Sequence, residues 1–196
     1  MSISTRARMF SDLLAKTSAT DRNQSVQELE QGMAALCKWL IQNRDSGSCL
    51  YIVGNGGSAA VAAHAVTDFF NMAKLKAVTL HESSLLTCMS NDYGYENAYA
   101  RMLSQMAQPG DIVIIISSSG RSMNVRNAAQ QAIKNGCTVV TLTGFDDNNP
   151  LRSMGDLNFW LDSHDYGMVE VGHQFILHNV SDRLRDMLAG QKHDAS

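Results

Sequence analysis

The chain predicts an α/β fold in which helices cover both faces of a parallel sheet. Three observations carry this. Cys49–Val53, Ile112–Ile116 and Cys137–Leu142 are short, continuous apolar runs, the texture of strands buried on both faces. Helix-like segments separate these runs, and strands alternating with helices build parallel sheets. Two of the runs end in small polar residues that lead straight into a helix: Gly54-Asn55-Gly56-Gly57-Ser58 and Ser117-Ser118-Ser119-Gly120-Arg121-Ser122.

Residues 3–44 carry helical spacing. Val26, Leu29, Met33, Leu36, Cys37 and Leu40 recur at three- and four-residue steps and form one apolar stripe, with Asp21 and Ser25 placed to cap it. After the strand Cys49–Val53 comes an alanine-rich helix, Ala59–Phe70. Ala77–Leu80 is a weaker strand. Asn97–Ala107 is helical, Ile112–Ile116 is a strand, and Ser122–Lys134 is a helix stopped by Asn135-Gly136. Cys137–Leu142 and the weaker Leu157–Leu161 complete the strands. A long helix runs from about Gly167 to Leu188, and the tail 190–196 is expected to fray.

Composition bounds the function. The chain has 196 residues, 44% hydrophobic and 18% charged, which suits one domain with a substantial core. A net charge of −3 argues against a nucleic-acid partner. No apolar run approaches the ~20 residues of a membrane span, and no signal peptide is visible. Four scattered cysteines without a C-x-x-C pair argue against a disulfide framework or a thiolate zinc site and suit a cytoplasmic protein. Cys49 and Cys137, at strand starts, read as small buried hydrophobes.

Ligands in such sheets bind beyond the carboxyl ends of the strands. The glycine loop allows close approach of backbone to ligand, and the helix after it offers free N–H groups to an anion. It lacks the Gly-Lys-Ser/Thr ending of a P-loop and the spacing of a dinucleotide fingerprint. The serine loop adds three hydroxyls at a second helix start. Either loop alone is compatible with a plain turn; together, at neighbouring strand tips, they point to a phosphate.

These loops carry a resemblance. Gly54–Ser58 with His64, Ser90–Tyr95, Gly110–Val113, Ser117–Val125 and Val140–Gly144 resemble the sugar isomerase (SIS) domain, and within it the bacterial phosphoheptose isomerases. The resemblance implies a three-layer, flavodoxin-like parallel sheet of five strands over residues 46–190. Residues 1–45 would be a helical region packed on the domain or on a neighbouring subunit. It also implies a homotetramer with a phosphosugar site shared between subunits. Ser58, Ser117, Ser119 and Ser122 would hold phosphate, while Asn55 and Asp92 would face the sugar. Gly56, Gly57, Ser118 and Glu170 would complete the substrate contacts. Asn91-Asp92-Tyr93-Gly94 also reads as a simple turn.

His64 and Asp68 are four apart in one helix and share a face. Glu170, His173 and His178 lie on the last helix, Glu170 and His178 about two turns and roughly 80° apart. Such a set is compatible with a zinc site, with acid–base chemistry, or with ordinary surface and core side chains. The resemblance makes Asp68 the general base and His178 the general acid of an enediol isomerisation. It makes His64, Asp68, Glu170 and His178 the ligands of a zinc ion. The chain departs from the family pattern at several places: Asp68 stands for glutamate, Glu170 for glutamine, Met72 for arginine, Arg121 for a smaller residue, and Met168-Val169-Glu170-Val171 for Arg-Ile-Gln-Glu. Two competing readings stand beside the isomerase, the first motivated by the departures and the second by the generic nature of phosphate recognition. One is a non-catalytic SIS module that binds a phosphosugar or associates with a replication initiator; the other is an isomerase of a shorter sugar phosphate.

Overall fold

The computed structural model describes residues 1–193. It contains α1 (Ile3–Ala15), β1 (Ser18–Asp21), β2 (Val26–Gln27), α2 (Leu29–Ser46), β3 (Cys49–Gly54), α3 (Gly57–Ala73), β4 (Lys76–Thr79) and α4 (Ser83–Tyr93). These are followed by α5 (Ala98–Met106), β5 (Ile112–Ser117), α6 (Met123–Lys134), β6 (Thr138–Thr143), β7 (Leu157–Trp160) and α7 (Tyr166–His193). The sheet order is β2-β1-β7-β6-β5-β3-β4. β4, β3, β5, β6 and β7 are mutually parallel. They form the expected five-stranded unit, and the direction in which successive strands are added across the sheet reverses between β3 and β5.

Alternation along the central strands sorts the core into two layers. Leu50 and Ile52 of β3 and Ile112, Ile114 and Ile116 of β5 pack under α2, α3 and α7. Tyr51, Val53, Val113 and Ile115 point the other way, against Tyr99, Met102 and Leu103 of α5 and the alanines of α6. Burial on both faces explains the unbroken apolar runs. The predicted stop of α6 is present: Asn135 is its C-cap and Gly136 follows at φ +76°.

The N-terminal region departs from the sequence reading. Residues 18–27 form an antiparallel hairpin, so the sheet has seven strands and the segment 3–44 is not helical throughout. β1 pairs antiparallel with β7, Ala19 opposite Phe159. Asp21 and Ser25 cap no helix; Asp21 Oδ1 accepts the N–H groups of Asn23 and Ser25 and closes the hairpin turn. Val26 is 74% exposed in β2 rather than part of the apolar stripe. Glu28 precedes the true start of α2 at Leu29. The strand Ser-Ala-Thr-Asp is short and polar and gives no apolar run to detect.

α4 was also not anticipated, and it leaves no side chain buried. α7 continues in helix to His193, so residues 190–193 of the tail expected to fray at 190–196 are helical instead; 194–196 lie outside the described residues. Among the described residues no helix is long and apolar enough to cross a membrane.

Candidate active site

The β3–α3 and β5–α6 loops sit side by side because their strands are hydrogen-bonded neighbours. Gly56 turns the first loop at φ +53° and ψ −122°, a conformation open to glycine. Neither Gly56 nor Ser122 makes a side-chain cap to the helix it precedes. Two helix N-termini thus present N–H groups and partial positive charge to one region. Between them lies a cavity of about 250 Å³. Asn55, Gly56, Gly57 and Ser58 line one side, Ser117, Ser118, Ser119 and Ser122 the other. The buried Ser118 hydroxyl has no protein partner. Helix N-termini and hydroxyls of this kind hold phosphate or another oxygen-rich anion without a lysine.

Eight of the predicted substrate residues meet here, and Glu170 joins them from α7. A Cβ on Gly57 would overlap the Glu170 carboxylate, so that carboxylate rests against the first residue of α3. Among the described residues it is the one carboxylate lining the cavity, and its charge opposes an incoming anion. Glu170→Gln is therefore expected to tighten binding of inorganic phosphate roughly tenfold, measured by calorimetry; unchanged affinity would show that the carboxylate does not face the bound anion.

Asp92 behaves differently. It lies in the last turn of α4, where Asn91 Nδ2 donates to its Oδ1, and it is not among the cavity-lining residues. Arg121 is 66% exposed, and its guanidinium meets Asp146 at 2.6 Å. Met72 contacts the Ser181 hydroxyl through sulfur at 4.0 Å.

The second cluster lies further along the same helix pair. Asp68 of α3 faces α7, and its Oδ2 is 2.8 Å from His178 Nδ1 and 3.3 Å from His64 Nε2. One carboxylate oxygen thus serves both rings while Oδ1 remains for another partner. The Asp68 side chain is 14% exposed, against 56% for His64 and 49% for His178. One donor atom from each of the three residues lies within 4.8 Å of the others, and two imidazoles with a carboxylate suit zinc. Glu170 does not join this trio in the protomer. Eight residues of helix, about 12 Å, separate it from His178.

His173, also on α7, is a core residue. It is fully buried, Nε2–H donates to the Thr143 carbonyl at 3.1 Å, and Nδ1 is unpartnered. Burial holds its pKa down to about 4. In the unfolded chain it protonates near pH 6.5. The stability it contributes is thus complete above pH 6.5 and is lost as pH falls from 6.5 towards 4, by about 3 kcal/mol. Urea unfolding from pH 8 to 4 should show this loss, and His173→Gln should flatten it; identical slopes would remove His173 as the cause.

Sequence reasoning missed several contributors. Tyr166 and Ile116 line the cavity. Tyr95 and the buried Asn124 hold Asn55 by hydrogen bonds. Asn124 lies two residues beyond Ser122, and Tyr95 in the Ser90–Tyr95 stretch; only folding brings them together.

Paired helix starts at neighbouring tips of a flavodoxin-like sheet define an anion-binding α/β domain suited to a phosphate ester. Residues 16–144 match the SIS domain family, and the chain belongs to it. It is 36% identical over 172 residues to the phosphoheptose isomerase of Geotalea daltonii, covering 85% of this chain and 89% of that one. It is 37% identical over 155 residues to that of Mycobacterium bovis, covering 76% and 79%. The solved phosphoheptose isomerase of Neisseria gonorrhoeae shares the fold, with a TM-score of 0.80 at 23% identity over 94% of this chain and 97% of that one. The family match spans both loops, His64 and Asp68, whereas Glu170 and His178 lie beyond it.

Proposed function

We propose that this protein is an aldose–ketose isomerase that interconverts sedoheptulose 7-phosphate and the aldose heptose 7-phosphate through an enediol. Relatives of nearly its full length bear the name phosphoheptose isomerase. The observation that carries the reading is the contact of Asp68 with His178 at 2.8 Å, on the same two helices that shape the anion cavity. An adaptor that only binds has no use for an acid–base pair there.

The two loops hold the phosphate through serine hydroxyls and helix N–H groups. Asp68 is the general base: its Oδ1, not engaged by either imidazole, takes a proton from C1 of the ketose. The C1–H electron pair becomes the C1=C2 bond, and the C2 carbonyl oxygen receives a proton from His178. Return of a proton to C2, with loss of the O1 proton, gives the aldose. Positioned proton transfer of this kind contributes ~10²–10⁴-fold in rate. His64, Asp68 and His178 are the residues that would hold a zinc ion. The ion would supply Lewis-acid polarisation of the substrate oxygens.

Ser58 and Asp68 are ten residues apart on α3, about 15 Å. This spacing favours a site in which one protomer holds the phosphate and a neighbour presents the pair, so we propose a homo-oligomer, a tetramer. Free cysteines throughout support a cytoplasmic location.

The test is incubation with sedoheptulose 7-phosphate, with and without zinc, and detection of aldose phosphate. Turnover is expected. A folded protein that gives none under either condition would overturn the reading.

A further inference from the structure

We infer that Tyr95 and Asn124 are positioning residues that lock the Asn55 side-chain amide so that it can only donate to the ligand. This rests on the isomerase reading for the identity of that ligand.

The polarity of the lock follows from one backbone group. The Val125 N–H can only donate, and it lies 3.0 Å from Asn124 Oδ1, which fixes which end of the Asn124 amide is oxygen. Asn124 and Asn55 form a reciprocal pair. Asn55 Nδ2 donates to Asn124 Oδ1 at 2.9 Å, and Asn124 Nδ2 donates to Asn55 Oδ1 at 2.8 Å. The orientation of Asn124 therefore sets that of Asn55. The Tyr95 hydroxyl lies 2.8 Å from the same Asn55 Oδ1, and beside an oxygen already so oriented it must donate.

Asn55 Oδ1 thus accepts two hydrogen bonds, which uses both of its lone pairs. One Nδ2–H is committed to Asn124. The other is the amide's remaining capacity, and Asn55 lines the cavity. Asn55 consequently selects an acceptor oxygen on the ligand, such as a sugar hydroxyl or carbonyl oxygen, and cannot serve a group that only donates. The lock joins three parts of the fold: the β3–α3 loop, the segment after α4, and the first turn of α6. Asn124 is only 2% exposed, and the Asn55–Asn124 pair ties the two ligand loops together. Orientation fixed in advance limits the cost of ordering the amide on binding.

Tyr95→Phe removes one hydroxyl and keeps the ring. We expect it to raise KM for sedoheptulose 7-phosphate about tenfold with kcat within twofold. Inhibition by inorganic phosphate and the Tm should stay unchanged, because the serine loop holds the phosphate. Asn124→Asp keeps both acceptor roles but loses the donor to Asn55 Oδ1, and should raise KM in the same way; if it does not fold, Tyr95→Phe decides. A second readout needs no turnover. The Asn55 side-chain NH2 signals in a ¹H–¹⁵N spectrum should shift in Tyr95→Phe. Unchanged KM and unchanged signals would overturn the lock, as would phosphate affinity falling in parallel with sugar-phosphate affinity. Wild-type protein without turnover, but with the amide shift in Tyr95→Phe, would overturn the isomerase reading and leave the lock standing.

Discussion

Asp68→Asn should lower turnover of sedoheptulose 7-phosphate by about 10²–10⁴-fold while leaving the fold and phosphate binding intact. Asparagine has nearly the same shape, and its side-chain oxygen can still accept a hydrogen bond from the His178 ring 2.8 Å away. What it cannot do is take a proton from carbon at neutral pH. The loss should fall on kcat, since the phosphate-holding loops lie at the other end of α3. Steady-state kinetics with phosphate inhibition as the control checks this. Retention of more than a tenth of wild-type kcat would exclude Asp68 as the base. The same variant separates an enzyme from an adaptor, whose partner binding would survive the change.

Gly54→Ala should damage stability and ligand binding together. A Cβ at Gly54 would lie 2.8 Å from the Ser58 backbone carbon and 2.9 Å from its carbonyl oxygen. Backbone cannot rotate away as a flexible side chain can, so the first turn of α3 must move off the tip of β3. Overpacking of this kind costs about 1–3 kcal/mol, or roughly 3–10 °C in Tm for a chain of this size. Displacing Ser58 and the N-terminus of α3 should also weaken inorganic phosphate binding at least tenfold. The Gly54 carbonyl, which accepts the buried Tyr99 hydroxyl at 2.8 Å, would be strained by the same shift. Calorimetry and thermal unfolding of one sample measure both effects; wild-type values for both would show that the loop absorbs the methyl.

The parallel part of the sheet was legible because each strand is buried on two faces and so is written as an unbroken apolar run. Ile112–Ile116 is the clearest case, with every residue buried. β1 was illegible because its partner, β7, stands far away in sequence and its own residues are polar; pairing, not pattern, makes Ser18–Asp21 a strand. α4 was hidden for a related reason: it has no fully buried side chain, and only Leu86 and Met89 pack, partly buried, against the core. Within the site, the two loops were readable from glycine and serine at strand ends. The approach of Asp68 to His178 depends on the rotation of α3 against α7, which four-residue spacing on one helix does not reveal. Glu170 and His178 share a helix but face different neighbours. Eight residues carry the second about 80° round and two turns along, placing one at the anion cavity and the other at Asp68.

The most direct measurement is turnover of sedoheptulose 7-phosphate in D₂O, followed by NMR of the aldose product and repeated with Asp68→Asn. Proton transfer through the Asp68 carboxyl, whose hydrogen exchanges with solvent, predicts some deuterium at C2 of the aldose formed by the wild type, and a rate of product formation lower by about 10²–10⁴-fold with the variant. Absence of aldose from folded wild-type protein, or aldose formed by Asp68→Asn at the wild-type rate, would contradict it.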